Sequence, residues 1–196
     1  MKADPSPLKR KLRILYISYF YPPLGGPAVL RNTKTIKYLA QLGAEIHVIT
    51  IDDIEYVYQD NSLMDECKES VLIRTPSLDP MALLKKLFKN KEQQSQTIYK
   101  NTPEYFKLLV RRLYPVDDKI GWLPYLYQAG IKALAQTDHD LIYVSCGPFS
   151  SAIAAYMLAK KSGLPLVVDY RDYWTLLSDY DLMGSRIKLA ISRHWE

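Results

Sequence analysis

Apolar runs punctuate this chain at intervals, and amphipathic stretches separate most of them. Five of these runs read as strands: Leu12–Ser18, Glu45–Thr50, Val71–Thr75, Asp140–Ser145 and Leu164–Val168. Between the first two, Pro27–Leu42 carries helical spacing. Val29, Ile36, Leu39 and Ala40 fall on one face, with Arg31, Lys34 and Gln41 on the other. Gly43 can end that helix in a left-handed conformation. Trp122–Gln136 predicts a second helix, with Leu126, Ala129, Ala133 and Leu134 as its buried stripe. Cys146-Gly147-Pro148 turns the chain, and Ser150 or Ser151 can cap a helix that runs to Lys161. The alanines of that helix (Ala152, Ala154, Ala155, Ala159) permit close packing on a sheet, and Gly163 stops it. Ser185–Glu196 begins another helix. Ile51–Ser70 is acidic and without a clear period.

Two strands joined by a helix make a right-handed parallel unit. Asp140–Ser145 is almost wholly apolar after its first residue, which suits a strand buried on both faces. The alternation therefore predicts an α/β domain: a Rossmann-like three-layer sandwich with a mostly parallel sheet. In such sheets ligands bind outside the carboxyl ends of the strands. Three loops reach that edge: Tyr19–Gly26, Cys146–Ser151 and Asp169–Trp174. Gly25 and Gly26 let backbone N–H groups approach a ligand closely, and Pro27 suits the first helical position. Two of the loops feed helix N-termini, whose dipoles favour an anion such as a phosphate. The plainer reading of Gly-Gly-Pro is a simple turn. Arg171 offers a bidentate fork for a phosphate or carboxylate. Asp169 and Asp172 can accept sugar hydroxyls or balance Arg171; the plainer reading is an ion-pair cluster that pins the loop. Trp174 reads as a hydrophobic plug rather than a stacking platform.

The 196 residues suffice for one sizeable core, and 48% hydrophobic content is ordinary for a globular domain. The net charge of +5 is unevenly spread. Met81–Pro115 holds eight basic residues (among them Lys85, Lys86, Lys89, Arg111 and Arg112) and two acidic ones, so the whole positive excess lies there. Met81–Lys89 and Thr102–Tyr114 look like amphipathic helices in this basic insert, separated by polar Asn90–Thr97. Docking on an anionic membrane surface is one reading. Packing of the apolar faces on the protein, with solvated lysines, is the plainer one and the one the pattern favours. Nothing in the charge argues for nucleic acid. Cys67 and Cys146 have no metal or redox spacing and read as free thiols of a cytoplasmic protein. The three histidines (His47, His139, His194) offer no metal-ligand spacing. No signal-like run or membrane span is present in the sequence. Neither a Walker loop nor a nucleophile elbow is found.

Two segments carry a resemblance. The first pairs YPPLGGPAVLR with KYLAQLGAEIHVIT, and the second is DLIYVSCGPFSSAIAAYMLAKKSGLPLVVDYRDYW. Together they cover roughly half the chain. With Pro23, Gly25, Gly26, Arg31, Leu42, Gly43 and His47–Thr50 in the first, and the Asp169–Trp174 hexapeptide in the second, the chain resembles the N-terminal domain of retaining, GT-B-fold glycosyltransferases of family 4 (glycosyl transferases group 1).

The resemblance implies a two-domain enzyme of which residues 1–196 are the acceptor-side half. A second Rossmann-like domain would bind most of the nucleotide-sugar. Gly25 and Gly26 would face the donor phosphates, with Arg31, Gly147, Asp169, Arg171 and Asp172 as donor-phosphate or acceptor contacts. No metal and no cofactor besides the nucleotide-sugar would be required. The acceptor would be a glycan, a lipid-linked glycan or a small molecule, as in polysaccharide or glycoconjugate biosynthesis. The protein would be cytoplasmic, with a peripheral place on the inner membrane face if the insert docks there. The turn after the fourth strand, Ser145-Cys146-Gly147-Pro148, lacks the histidine some members carry, so no catalytic base is named. The expectation is that 1–196 does not transfer sugar alone. Two rival readings stand beside it. One is a nicotinamide-dependent oxidoreductase, with Asp52 on an adenosine ribose, although G-x-G-x-x-G is absent. The other is a non-catalytic module that docks through Met81–Pro115.

Overall fold

A computed structural model of the chain describes residues 11–52, 60–67, 71–78, 114, 116–172, 174 and 186–195. The basic residues of the predicted insert, Lys85, Lys86, Lys89, Arg111 and Arg112 included, lie outside them.

The five apolar runs form one sheet. β1 (Arg13–Ile17), β2 (Glu45–Ile51), β3 (Val71–Thr75), β4 (Leu141–Cys146) and β5 (Leu166–Tyr170) pair in the order β3-β2-β1-β4-β5. Every neighbouring pair is parallel, with Tyr16 opposite Val48 on one side and Tyr143 on the other. The chain thus builds outward from β1 in one direction, then returns to β1 and builds outward in the other. Such a reversal opens a crevice at the carboxyl ends of β1 and β4.

Period-two alternation divides the sheet between two cores. Leu15, Ile17, Ile49, Ile51, Ile142 and Val144 face one side. Helices α2 (Leu123–Gln136) and α3 (Ser150–Ser162) cover them there. Ile14, Tyr16, Ile46 and Val48 face the other, where α1 (Pro27–Gln41) supplies Ile36. These are the three layers of a Rossmann-like α/β domain. A fourth helix, α4 (Arg186–Trp195), follows β5 in the chain.

The helices pack much as their periodicity demands. Val29 and Ile36 of α1 are buried, as are Leu126 and Ala133 of α2 and Ala152, Ala154 and Ala155 of α3. At Gly130 the seam between α2 and α3 leaves no room for a side chain. A Cβ there would stand 2.3 Å from a Leu158 methyl group. Two polar residues of α1, Asn32 and Thr33, are also buried, against the simple amphipathic reading. The aperiodic stretch after β2 contains a 3-10 helix over Asn61–Cys67, which packs beside α1 through a Lys34–Glu66 contact of 2.6 Å and a Lys37–Glu66 contact of 2.8 Å.

Candidate functional site at the carboxyl rim of the sheet

The loop from β1 to α1 is held from below before it presents anything above. Tyr19, Tyr21 and Leu24 are buried. Its carbonyls accept hydrogen bonds from four surrounding elements. Thr50 Oγ1 donates to Tyr19 O at 3.1 Å, Asn32 Nδ2 to Phe20 O at 3.0 Å, Arg74 Nη2 to Pro22 O at 2.6 Å and Asp60 N to Pro23 O at 2.8 Å. A buried indole supports it further: Trp122 meets Tyr19 edge to face and donates to Thr75 Oγ1 at 2.6 Å. The loop is therefore preorganised rather than slack. It ends on buried Gly25 and on Gly26, whose φ of +105° suits glycine and which forms the N-cap of α1. Pro27 takes the first helical position, and no side chain caps the helix.

The second loop is closed differently. Ser150 or Ser151 was the expected cap of α3, yet the N-cap is Phe149 and no residue of the helix caps it. Asp117, from the segment before α2, does so instead. Its carboxylate accepts from Ser150 N at 2.7 Å and Ser150 Oγ at 2.9 Å, and also from Lys119 N at 2.9 Å. Burial of this carboxyl pushes its pKa up, against the hydrogen bonds from Ser150 that pull it down. The consequence for function is direct. The α3 N-terminus is thus already capped by an acidic side chain of the protein's own, while among the described residues no side chain caps that of α1.

The third loop meets the first through side chains. Arg31, in α1, pairs with Asp169 near the end of β5, Nη2 to Oδ1 at 2.5 Å. Arg171 pairs with Asp172, at 2.9 Å from Nε and 2.7 Å from Nη2. Of the two aspartates expected to balance Arg171, Asp172 does so, and Asp169 pairs with Arg31 instead. Gly147, at φ +124°, lies close enough to Arg171 that a Cβ would stand 3.9 Å from its Nη2. Gly26, Arg31, Gly147, Asp169, Arg171 and Asp172 all follow or flank the carboxyl ends of β1, β4 and β5, on one rim. Trp174 is 1% exposed and stacks on Phe149 at 5.1 Å between centroids, a plug beneath the loop rather than a platform on it.

Under Arg31 and Asp169 lies a polar layer with no signal in the motif pattern. Tyr16 and Tyr143 stack at 4.7 Å on adjacent strands. Tyr16 Oη donates to Asn32 Oδ1 at 3.0 Å, and Asn32 Nδ2 donates to Ser18 Oγ at 2.6 Å. Burial, and then the neighbouring Asp169 charge, push Tyr143 up to about 12. Tyr16 is raised as well, by burial first. Cys146 is pushed up to about 12, again mainly by burial, so it is an inert thiol rather than a nucleophile. Asn32 was the residue to notice: an asparagine inside a helical stripe is costly unless it is hydrogen-bonded.

The histidines also differ from expectation. His47 and His139 touch, Nε2 of His139 standing 3.1 Å from Nδ1 of His47. They sit at the opposite, amino edge of the sheet. Among the described residues no group of three or more His, Cys, Asp or Glu could hold a metal. Both cysteines are buried, and neither forms a disulfide. No described helix is long and apolar enough to cross a membrane. Two grooves flank the edge strands β5 and β3. One of about 590 Å³ includes Tyr156, Val168, Tyr170 and Trp195, and one of about 430 Å³ lies between β3 and α2.

No family model matches the chain, and no curated protein matches it. Among solved structures it is similar to the C-terminal domain (residues 78–226) of PF1911 hydrogenase from Pyrococcus furiosus. That similarity has a TM-score of 0.48 and 14% identity over 85% of this chain and 96% of that one. A second crystal structure of that domain (residues 83–215) gives 0.46 and 15%, over 86% and 98%.

Proposed function

We propose that this chain is the acceptor-side domain of a retaining glycosyltransferase, an enzyme moving a sugar from a nucleotide-sugar to a glycan, lipid-linked or small-molecule acceptor. One observation carries this reading: three loops far apart in sequence converge on a single rim, tied by Arg31 to Asp169 and by the approach of Gly147 to Arg171. Arg31, Asp169 and Arg171 are among the residues on which the resemblance to family 4 rests. A rim of this kind is half of a cleft. It offers backbone N–H groups at Gly26 and side-chain donors and acceptors at Arg31, Asp169, Arg171 and Asp172, and it needs a facing domain to hold the donor.

On this reading the chain binds and orients an acceptor hydroxyl and does not supply the donor's nucleotide site. It needs no metal. Its setting is cytoplasmic polysaccharide or glycoconjugate biosynthesis, at the membrane face if the basic segment docks there.

The experiment is ligand mapping by amide and arginine side-chain NMR on residues 1–196. Oligosaccharides should shift Gly26, Gly147 and Arg31, and incubation with UDP- or GDP-sugars should give no turnover. Quenching of tryptophan with energy transfer to NADH, in the absence of saccharide shifts, would replace this reading with the oxidoreductase one.

A further inference from the structure

Building on the acceptor-side reading, we infer that Asp169 is a specificity-determining residue: by engaging Arg31 it makes the rim select an uncharged polyhydroxyl ligand over an anionic one. The starting point is charge compensation. Arg31 and Arg171 already hold carboxylates, Asp169 and Asp172, and Arg74 at the end of β3 is bound to the Pro22 and Ile51 carbonyls. Lys119 holds Asp118 at 3.2 Å, and the α3 N-terminus holds Asp117. Among the described residues the guanidinium groups at this edge are therefore already engaged, those of Arg31 and Arg171 by carboxylates.

The two arginine pairs are not equivalent. Arg171 and Asp172 are sequence neighbours, with side chains 37% and 50% exposed, so the pair is screened and easily exchanged. Arg31 and Asp169 join α1 to β5, and the Asp169 side chain is only 14% exposed. Asp169 also lies beside the Tyr143 hydroxyl and raises both Tyr143 and Tyr16 by its charge. An incoming phosphate or carboxylate would either take the remaining Arg31 N–H groups against the repulsion of the adjacent Asp169 carboxylate, or draw Arg31 away and leave a largely covered Asp169 without its counter-charge. That is costly. A sugar hydroxyl donates and accepts at once. It can give its proton to a remaining lone pair of Asp169 and take a hydrogen bond from one of the other N–H groups of Arg31, with the ion pair intact.

The test compares neutral and anionic probes on the whole chain. Maltotriose and mannotriose are titrated against a glucuronate-terminated trisaccharide and mannose 6-phosphate, read by NMR at the rim. The wild type should prefer the neutral probes by about tenfold or more, and Asp169→Asn should strengthen anionic binding by about tenfold with a steeper salt dependence, as expected when a cation is unmasked. Adding Arg31→Gln to Asp169→Asn should abolish that gain. Asp172→Asn should change the ratio by less than about threefold, its pair being exposed. The inference is overturned if the wild type takes anionic probes as well as neutral ones, a result that needs no folded variant. An unchanged ratio in a folded Asp169→Asn variant overturns it too. In both cases saccharide still binds, so the acceptor-side reading survives. If no probe moves the rim, both fall.

Discussion

The two ends of this parallel sheet use the same kinds of residue for opposite purposes. At the amino edge, polar groups close on one another. Arg13 N donates to Asp140 at 2.8 Å and Arg13 Nε to Glu45 at 3.0 Å. Glu45 Oε1 meets His47 Nε2 at 3.2 Å, and His47 Nδ1 meets His139 Nε2 at 3.1 Å. A carboxylate only accepts, so His47 gives its Nε2 proton to Glu45. The chain of contacts ends at buried His139, beside the Thr137 backbone, and it laces β1, β2 and the start of β4 together. At the carboxyl rim Arg31, Arg171 and Asp172 stand out toward solvent and Asp169 is largely covered, above a buried layer of Tyr16, Asn32, Ser18 and Trp122. A polar network that consumes its own donors is a clasp. One that stands on a rigid base and keeps spare donors outward is a surface prepared for something else.

The comparison breaks first at Asp117. Asp117→Ala orphans the Ser150 and Lys119 N–H groups it caps and should cost about 2–3 kcal/mol in urea unfolding. If the loss is near zero, the α3 N-terminus has another anion and the rim is not internally satisfied there. Next in size is Gly147→Ala, where a backbone at φ +124° should cost about 1–2 kcal/mol although the space is open. Saccharide shifts at Arg171 should weaken with it, since the turn carries the loop toward that side chain.

A subtler probe is pH. Burial, and then the neighbouring His47, lower the pKa of His139. The unfolded chain therefore binds a proton there more readily than the folded one, so stability contributed by this group is present above its ordinary value of 6.5 and is lost as pH falls below it. The urea midpoint should drop between pH 7.5 and 5.5, and His139→Gln should flatten that drop. Glu45, lowered chiefly by its hydrogen bond from Arg13, contributes in the same direction but in the carboxylate range, below that window. The smallest effect on folding should come from Asp172→Asn, an exposed partner of one ion pair, at about 0.5 kcal/mol or less. A large loss there would make the rim a clasp like the amino edge.

Much of the framework was legible before any coordinates. Val71–Thr75 is a strand over those residues, and the helices begin at Pro27 and Ser150 and end beside Gly43 and Gly163. Apolar runs and glycine stops act over a few residues, so a local pattern carries them. The convergence of Gly26, Gly147 and Asp169–Asp172 on one rim also follows from parallel strands joined by helices. What escaped was pairing across distance. Asp117 as the cap of α3, Arg31 rather than Arg171 as the partner of Asp169, and the His47–His139 contact each join segments that no periodicity links.

The sequence by itself thus determined the strands, the helices, their alternation and the edge where glycine loops gather, because each follows from nearest-neighbour sterics and the burial of an apolar face. Only the tertiary structure decided which charges neutralise one another, which helix N-terminus is already filled and which polar residues lie beneath the rim. Electrostatic partners are chosen by proximity through space, and that is set only once the sheet order β3-β2-β1-β4-β5 has closed around its two cores.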